Sequence, residues 1–209
     1  PHREREYALL WTPHWTQDWY GYLAGYSTWV WASRVVNNYA KRNPLEKVLV
    51  RPHPMVFSMI ADRASRGLIE ESPFAQARNE WNELLSLPNV SVSQGTSMLE
   101  DLANSRTAVS DYSSVAMYAD SANTRLAVTR NVLGPPISTL GRDVLASAPL
   151  LETPEQLEEW LSTLANPQAS GRAQSVSTSS VYWEADVLPP EFSQSVEDLI
   201  HALSEESSS

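Results

Sequence analysis

Short apolar runs alternate with helix-like segments along most of the chain, and this alternation limits the possible folds more than any other feature. Parallel strands need crossover connections long enough to hold a helix, so strands separated by helices are typical of a parallel sheet covered on both faces. The sequence therefore predicts an α/β fold, a Rossmann-like, doubly wound parallel sheet. The predicted strands lie near residues 7–12, 46–51, 90–92, 106–110, 125–129 and 148–151.

The intervening segments show helical periodicity, and capping residues mark where several of them begin. Ser27, Pro73 and Thr153 are predicted to open three of the helices. After residue 135 the pattern weakens, and residues 166–180, which are rich in Ser, Gln, Ala and Gly, indicate a flexible segment. The predicted helices span residues 27–41, 55–65, 74–86, 97–104, 154–164 and a segment from 113.

Three units are predicted along the chain. They are a Rossmann-like domain at 1–165, a flexible segment at 166–180 and a helix within 181–209 that docks back or frays.

Polar turns follow the first four predicted strands. They contain Trp11–His14, Arg51–Pro54, Gln94–Ser97 and Asp111–Ser114. The carboxyl ends of parallel strands meet at one edge of a sheet, and ligands of open α/β sheets bind in the crevice outside that edge. The four turns are therefore expected to form one site.

The turn Asp111-Tyr-Ser-Ser-Val115 joins a predicted strand to a predicted helix. Hydroxyl groups and unpaired backbone N–H groups at a helix N-terminus can bind an anionic oxygen without a basic side chain. Ser113 and Ser114 are the candidate phosphate ligands. The structural alternative is an ordinary helix cap, because Asp and Ser are favoured at that position for stability alone.

In the segment Arg51-Pro-His53-Pro54 two prolines fix the backbone on both sides of one imidazole. At the end of a buried strand such a histidine would reach the ligand crevice, where it could polarise a phosphate oxygen or transfer a proton near neutral pH. The alternatives are a histidine that only bonds a neighbouring loop and an arginine that is solvated at the strand end.

Together these two motifs resemble the C-terminal half of the CDP-glycerol glycerophosphotransferases, which build teichoic-acid-type polymers. In that family one strand ends in a basic residue and Pro-His-Pro, and a later strand ends in Thr-Asp-Tyr-Ser-Ser. This chain carries Ser110 in place of that threonine, and Trp11-Thr-Pro-His14 replaces the family's basic loop after the first strand. The resemblance covers roughly residues 5–135.

The resemblance implies the donor-binding half of a GT-B enzyme that transfers glycerol phosphate from CDP-glycerol, or a related CDP-polyol, to a lipid-linked polymer and releases CMP. It implies His53 as the catalytic histidine, with Ser113 and Ser114 as ligands of the donor phosphates. Arg51 and His14 are the nearby candidate cations. The remaining candidates, for the nucleoside, are Thr96 and Ser97, and Thr96 is also a predicted N-cap of the short helix that follows.

The length and the first residues of the chain add an expectation about its extent. A chain of 209 residues is short for two α/β domains, and it begins with proline rather than methionine. We expect an incomplete fragment that lacks the N-terminal, acceptor-side domain.

The composition excludes several classes of function. A net charge of −10 argues against a general nucleic-acid or anionic-membrane surface. The absence of cysteine rules out disulfides and thiolate chemistry, and the four histidines show no metal-ligand spacing, so no metal site is expected, although a divalent ion at the pyrophosphate stays open. No apolar run is long enough to span a membrane. The expected location is the cytoplasm, with any peripheral contact to the inner membrane face made by the missing half.

Two other functions remain open at this stage. The chain could be a GT-B glycosyltransferase domain that uses another nucleotide sugar, or a non-catalytic interaction module that has kept the fold. The early tryptophans also allow two interpretations, an exposed aromatic surface for a ligand or packing in the core, and packing is favoured. The tryptophans concerned are Trp11, Trp15, Trp19, Trp29 and Trp31.

Overall fold

The computed structural model describes the sheet and the helices around it. The described residues are 5–14, 25–56, 58, 62, 65–66, 73–94, 97–113, 115–132, 134, 137 and 148–165, and all of them belong to one unit of the chain, Pro1–Val176. In chain order the elements are β1 (Tyr7–Thr12), α1 (Trp29–Arg42), β2 (Val48–Val50), α2 (Pro73–Ser86), β3 (Val90–Val92), α3 (Met98–Ala103), β4 (Ser105–Asp111), α4 (Val115–Ser121), β5 (Arg125–Thr129), β6 (Leu150–Leu151) and α5 (Pro154–Ser162), which a 3-10 turn (Thr163–Ala165) extends.

Within the described residues, six strands form one sheet in the order β3-β2-β1-β4-β5-β6, and every pair is parallel. β1 lies in the middle, where Leu9 is in register with Val48 of β2 on one side and with Thr107 of β4 on the other. The chain winds outwards from β1 in both directions, so the topological switch point lies between β1 and β4. The predicted Rossmann-like fold class is confirmed. The GT-B arrangement, which concerns a second domain, stays a prediction.

β1 and its neighbour β2 are buried on both faces, except for the partly buried first residue of β1, as expected when helices cover both sides of a parallel sheet. Leu9 and Trp11 of β1 pack into a large cluster with α1, α2 and α5. Leu10 faces the other way and packs against Leu102 of α3 and Ala119 of α4. Because burial of each large apolar side chain contributes roughly 1.5–3 kcal/mol, these opposed faces fix the register of β1.

Tryptophan side chains form the centre of the larger cluster. Trp11 and Trp29 are fully buried, and the ring of Trp81 packs edge-on against both, with centroid distances of 5.5 and 6.2 Å. The interpretation of the early tryptophans as core residues is therefore confirmed for Trp11 and Trp29. Trp31 is partly buried beside the same cluster, and Trp15 and Trp19 lie outside the described residues.

Most element boundaries lie close to the predicted ones, and the differences have local causes. α1 begins at Trp29 rather than Ser27, and Thr28 is its N-cap. The backbone N–H and the hydroxyl of Thr28 both donate to Asp111 of β4. β4 is longer than predicted since its two ends pair with different strands, Ser105 with β1 and Asp111 with β5. The N-cap role of Thr153 is confirmed.

Other predictions fall partly or wholly outside the described residues. In the predicted helix at 55–65, the described residues Met55, Val56, Ser58, Asp62 and Ser65 are helical. The flexible segment at 166–180 and the helix within 181–209 lie outside the described residues. Among the helices that the structure describes, none is long and apolar enough to cross a membrane.

Candidate functional site

The loops that follow β1, β2, β4 and β5 meet beside the switch point. His14 follows β1, His53 follows β2, Ser113 follows β4 and Asn131 follows β5. In open α/β sheets this is the position at which ligands bind. The prediction that the polar turns share one edge of the sheet is confirmed for the turns after β1, β2 and β4; the loop after β5 was not part of that prediction.

Below these loops, at the carboxyl end of β4, lies the fully buried carboxylate of Asp111. Its Oδ1 atom accepts hydrogen bonds from the backbone N–H of Thr28 (3.1 Å), from the hydroxyl of Thr28 and from the hydroxyl of Thr129 (2.8 Å). Its Oδ2 atom accepts the backbone N–H of His14 at 2.6 Å. Asp111 thus joins the loop after β1, the beginning of α1 and the end of β5.

This arrangement places a carboxylate of the protein at the N-terminus of α1. A helix N-terminus favours a negative charge, because its unpaired N–H groups carry partial positive charge. In many nucleotide-binding sheets the first helix directs this end towards a phosphate of the ligand. Here the carboxylate of Asp111 bonds the N–H of the N-cap residue Thr28, so an anion bound at this helix end would lie close to a negative charge of the protein.

Burial raises the pKa of Asp111 to about 6, although the hydrogen bonds from Thr28, His14 and Thr129 act in the opposite direction. The charged form of the carboxylate is therefore retained at neutral pH through its hydrogen bonds. Loss of any of the four donors would leave a buried charge with fewer partners, which is costly.

Two imidazoles lie side by side at the switch point. The ring centroids of His14 and His53 are 5.6 Å apart, since backbone hydrogen bonds hold their loops together: the N–H of Arg51 donates to Trp11 O (2.8 Å) and the N–H of His53 donates to Pro13 O (3.1 Å). The β1–β2 pairing in effect continues into the two loops and carries the histidines with it.

Both imidazoles favour the neutral form, so His14 does not supply at neutral pH the positive charge that the sequence predicts for it. Desolvation lowers the pKa of His14 to about 4, and the nearby His53 contributes in the same direction. Desolvation also lowers the pKa of His53. The backbone N–H of Met55 donates to Nδ1 of His53 at 3.2 Å, so the neutral ring carries its proton on Nε2. His53 therefore presents an N–H donor on the side of the ring away from its own loop.

Aromatic rings extend this edge towards α1 and β4. Tyr26 packs edge-on against His14 with a centroid distance of 5.8 Å, and it stacks with Tyr112 at 6.2 Å. His53, His14, Tyr26 and Tyr112 thus form a row of rings from three connections, those that follow β1, β2 and β4. Tyr26 is 37% exposed, so part of the row is accessible to a ligand.

Arg51, the predicted phosphate ligand after β2, is paired within the protein. Its Nη1 atom lies 2.6 Å from Oδ2 of Asp101 on α3 and 3.3 Å from the hydroxyl of Ser93. The Ser93 hydroxyl donates to the same oxygen of Asp101. The structure therefore shows an oriented, partly buried arginine rather than a fully solvated one.

Ser113 lies at the carboxyl edge, in the turn that follows β4. Its hydroxyl accepts the backbone N–H of Val115 and lies 3.3 Å from the hydroxyl of Ser110. Ser110 is in register with Thr12 of β1, whose buried hydroxyl has no hydrogen-bond partner among the residues that the structure describes. Three hydroxyl groups therefore line the junction of β1 and β4. Ser114 lies outside the described residues.

The candidate nucleoside residues begin α3. Ser97 is the N-cap of that helix, and its hydroxyl accepts the backbone N–H of Glu100. The prediction that Thr96 is the N-cap is therefore wrong by one residue, because the helix begins at Met98. Thr96 itself lies outside the described residues.

Three residues of the site were missed in the sequence: Thr28, Thr129 and Asn131. Asn131 is buried, donates to the carbonyl oxygens of Gly25 and Ser27, and accepts the indole N–H of Trp31. Asp111 was noticed only as part of a capping turn. Its bonds to Thr28 and His14 span 83 and 97 residues, so no local pattern could have indicated them.

No group of three or more metal-ligating side chains occurs in the part of the chain that the structure describes. No protein-family model matches the sequence, and no curated protein matches it either.

Proposed function

We propose that this domain binds a nucleoside diphosphate donor at the carboxyl edge of the sheet and serves as the donor-binding half of a polyol-phosphate transferase. The proposed donor is CDP-glycerol or a related CDP-polyol, and the proposed acceptor is a hydroxyl of a teichoic-acid-like, lipid-linked polymer. An opposing N-terminal domain would bind the acceptor and complete a GT-B enzyme.

The observation that carries the proposal is the pairing of two neutral imidazoles, His14 and His53, at the switch point. A neutral imidazole can donate a hydrogen bond to a phosphate oxygen, and a developing negative charge nearby would raise its pKa and strengthen that bond. His53 lies in the Pro-His-Pro segment that resembles the glycerophosphotransferases, and His14 lies in the loop that replaces the basic loop of that family.

In the proposed reaction the acceptor hydroxyl attacks the β-phosphorus of the donor. A new P–O bond forms to the acceptor oxygen, the bond from the β-phosphorus to the bridging oxygen breaks, and CMP leaves with that electron pair. The acceptor proton passes to a base or to solvent. The Nε2–H of His53 would donate to the departing phosphate and stabilise its charge, which is the usual way in which phosphoryl transfer is accelerated.

The remaining candidates would hold the donor. Ser113 and Ser114 would donate their hydroxyls to the phosphates. Arg51, held by Asp101, would supply a fixed positive charge. Thr96 and Ser97 stay the proposed nucleoside residues. The hydroxyl of Ser97 already accepts one capping bond, which leaves its proton and one lone pair for the ligand.

Calorimetric titration of the chain with CDP-glycerol, CMP, CDP and UDP-glucose tests the proposal. We expect cytidine-selective binding that weakens about tenfold in Ser113→Ala, the usual effect of losing a hydrogen bond to a charged group. His53→Ala should weaken the affinity for CDP-glycerol, and His53→Gln should retain part of it, because the glutamine amide can replace the Nε2–H donor. Ser162→Ala, at the far end of α5 where the hydroxyl bonds only its own helix, is the matched control.

A non-catalytic module is the second candidate, and the pairing of Arg51 with Asp101 is the observation that favours it. Failure of all four nucleotides to bind the folded chain would exclude a donor-binding domain that works alone and would favour this alternative. Binding of UDP-glucose in preference to the cytidine nucleotides would instead support a glycosyltransferase domain.

A further inference from the structure

The carboxylate of Asp111 accepts three hydrogen bonds on Oδ1 and one on Oδ2. We infer that Asp111 is a positioning residue that holds the His14 imidazole against His53 by fixing the peptide group between Pro13 and His14. Its importance for donor binding rests on the proposed function, but the positioning itself does not.

The first step of the argument is that the carboxylate cannot rotate freely. Oδ1 is bound by donors from both sides, Thr28 at the beginning of α1 and Thr129 at the end of β5. The side chain is fully buried, so no water competes for these bonds. With Oδ1 held in this way, Oδ2 has a fixed direction, towards the loop after β1.

The second step concerns one peptide group. The carbonyl of Pro13 accepts the N–H of His53 at 3.1 Å, and the N–H of His14 donates to Oδ2 of Asp111 at 2.6 Å. These two groups belong to the same planar peptide unit. Its two ends are therefore bound to the loop after β2 and to the end of β4, so its orientation is set on both sides.

The third step follows from the chain geometry. Pro13 has a restricted φ, and a fixed peptide plane after it leaves few ways to place the Cα–Cβ bond of His14. The imidazole is thereby kept half-buried between Tyr26 and His53. Release of the N–H would allow the ring to turn towards solvent and leave His53.

Asp111→Asn tests this inference selectively. The asparagine carbonyl can replace Oδ1 and keep its three donors, but its NH2 group then faces the His14 N–H and cannot accept it. The buried charge disappears as well, so the variant is expected to fold. Thr129→Val is the matched control, because it removes one of the three bonds to Oδ1. Both Thr28 bonds still hold that oxygen, and the His14 contact stays in place.

The measurement is an NMR titration of the imidazole resonances without any nucleotide, assigned with His14→Gln and His53→Gln. In the wild type the pKa of His14 lies near 4. We expect it to rise towards the ordinary value of 6.5 in Asp111→Asn and to stay low in Thr129→Val. An unchanged pKa in folded Asp111→Asn, or an equal rise in both variants, would overturn the inference.

A second measurement needs only the wild-type chain, so it holds even where Asp111→Asn does not fold. An N–H bonded to a buried carboxylate should exchange slowly with solvent. Exchange of the His14 amide at the rate of an unprotected loop amide would overturn the inference. Slow exchange together with the expected pKa shift, in a chain that binds no nucleotide, would support the positioning role and contradict the proposed function.

Discussion

The side-chain amide of Asn131 donates to the carbonyl oxygen of Ser27 over 2.7 Å, across 104 residues of sequence. A second bond from the same amide reaches the carbonyl of Gly25, and the amide oxygen accepts the indole N–H of Trp31. One buried side chain after β5 thus holds the segment that precedes α1. Together with Asp111, it explains how loops from distant parts of the sequence keep a common geometry.

Asn131→Ala should destabilise the domain by about 2–4 kcal/mol, because it leaves two buried carbonyls and an indole N–H without a partner. Urea unfolding followed by tryptophan fluorescence measures the change. Asn38→Ala, a substitution of a partly exposed asparagine on α1, should change stability by less than about 0.5 kcal/mol. Similar effects for the two variants would contradict the role given to Asn131.

Gly134→Ala should also destabilise the domain, by about 1–3 kcal/mol, because Gly134 lies beside the segments that Asn131 holds together. A Cβ at this position would lie 2.9 Å from the carbonyl oxygen of Asn131 and 3.3 Å from that of Gly25. Both neighbours are backbone atoms that the Asn131 side chain and the N–H of Gly134 help to hold, so neither can move easily. Urea unfolding measures this change as well. An unchanged free energy of unfolding in Gly134→Ala would show that the backbone of this segment moves to make room for the methyl group.

Asp101→Asn should cost about 2 kcal/mol, since it removes the charge that balances a guanidinium with only 20% of its side chain exposed. The chain provides a matched comparison in the pair of Arg66 with Asp62, whose side chains are 64% and 53% exposed. Asp62→Asn should cost no more than about 0.5 kcal/mol, because solvent screens an exposed pair. Equal costs would mean that Arg51 is more solvated than its contacts indicate.

Acid should affect His14 and Asp111 in opposite directions. The pKa of His14 is lowered to about 4 in the fold, so between pH 6.5 and 4 the unfolded chain binds a proton that the folded chain does not, and the free energy of unfolding falls as the pH falls. The pKa of Asp111 is raised to about 6, so the folded chain binds the additional proton, and this carboxyl gains stability as the pH falls.

His14→Gln separates the two effects. It removes the histidine contribution and keeps the backbone N–H that bonds Asp111. We expect the variant to lose less stability than the wild type between about pH 7 and about pH 5, measured by urea unfolding at both values. A larger loss in the variant would show that the His14 ring is charged in the folded state.

The sequence predicted the sheet well because its signals are local. Apolar runs such as Val48–Val50 are typical of strands that are buried on both faces. Thr153 followed by Pro154 is typical of a helix start. The cap of α3 was assigned one residue early because Thr96 and Ser97 are both good caps. Only the tertiary placement of the helix decides between them.

The candidate site was harder to predict because its decisive contacts join distant residues. In the sequence, Arg51 has the features of a solvated arginine at a strand end. In the fold it is paired with Asp101, which lies 50 residues later. Asp111 has the features of a helix cap, yet it continues the strand and bonds donors from three other segments. The polar turns indicated where a ligand could bind. They did not indicate which side chains already form hydrogen bonds or ion pairs within the protein.

The carboxylate at the beginning of α1 also has an evolutionary consequence. A domain that places its own carboxylate beside this helix end should not need a glycine-rich phosphate loop there. Selection should act instead on the two hydroxyl residues, Thr28 and Thr129, that hold the carboxylate. Related chains should therefore conserve Thr28, Asp111 and Thr129 together, and a chain that loses the acid should be free to change both threonines.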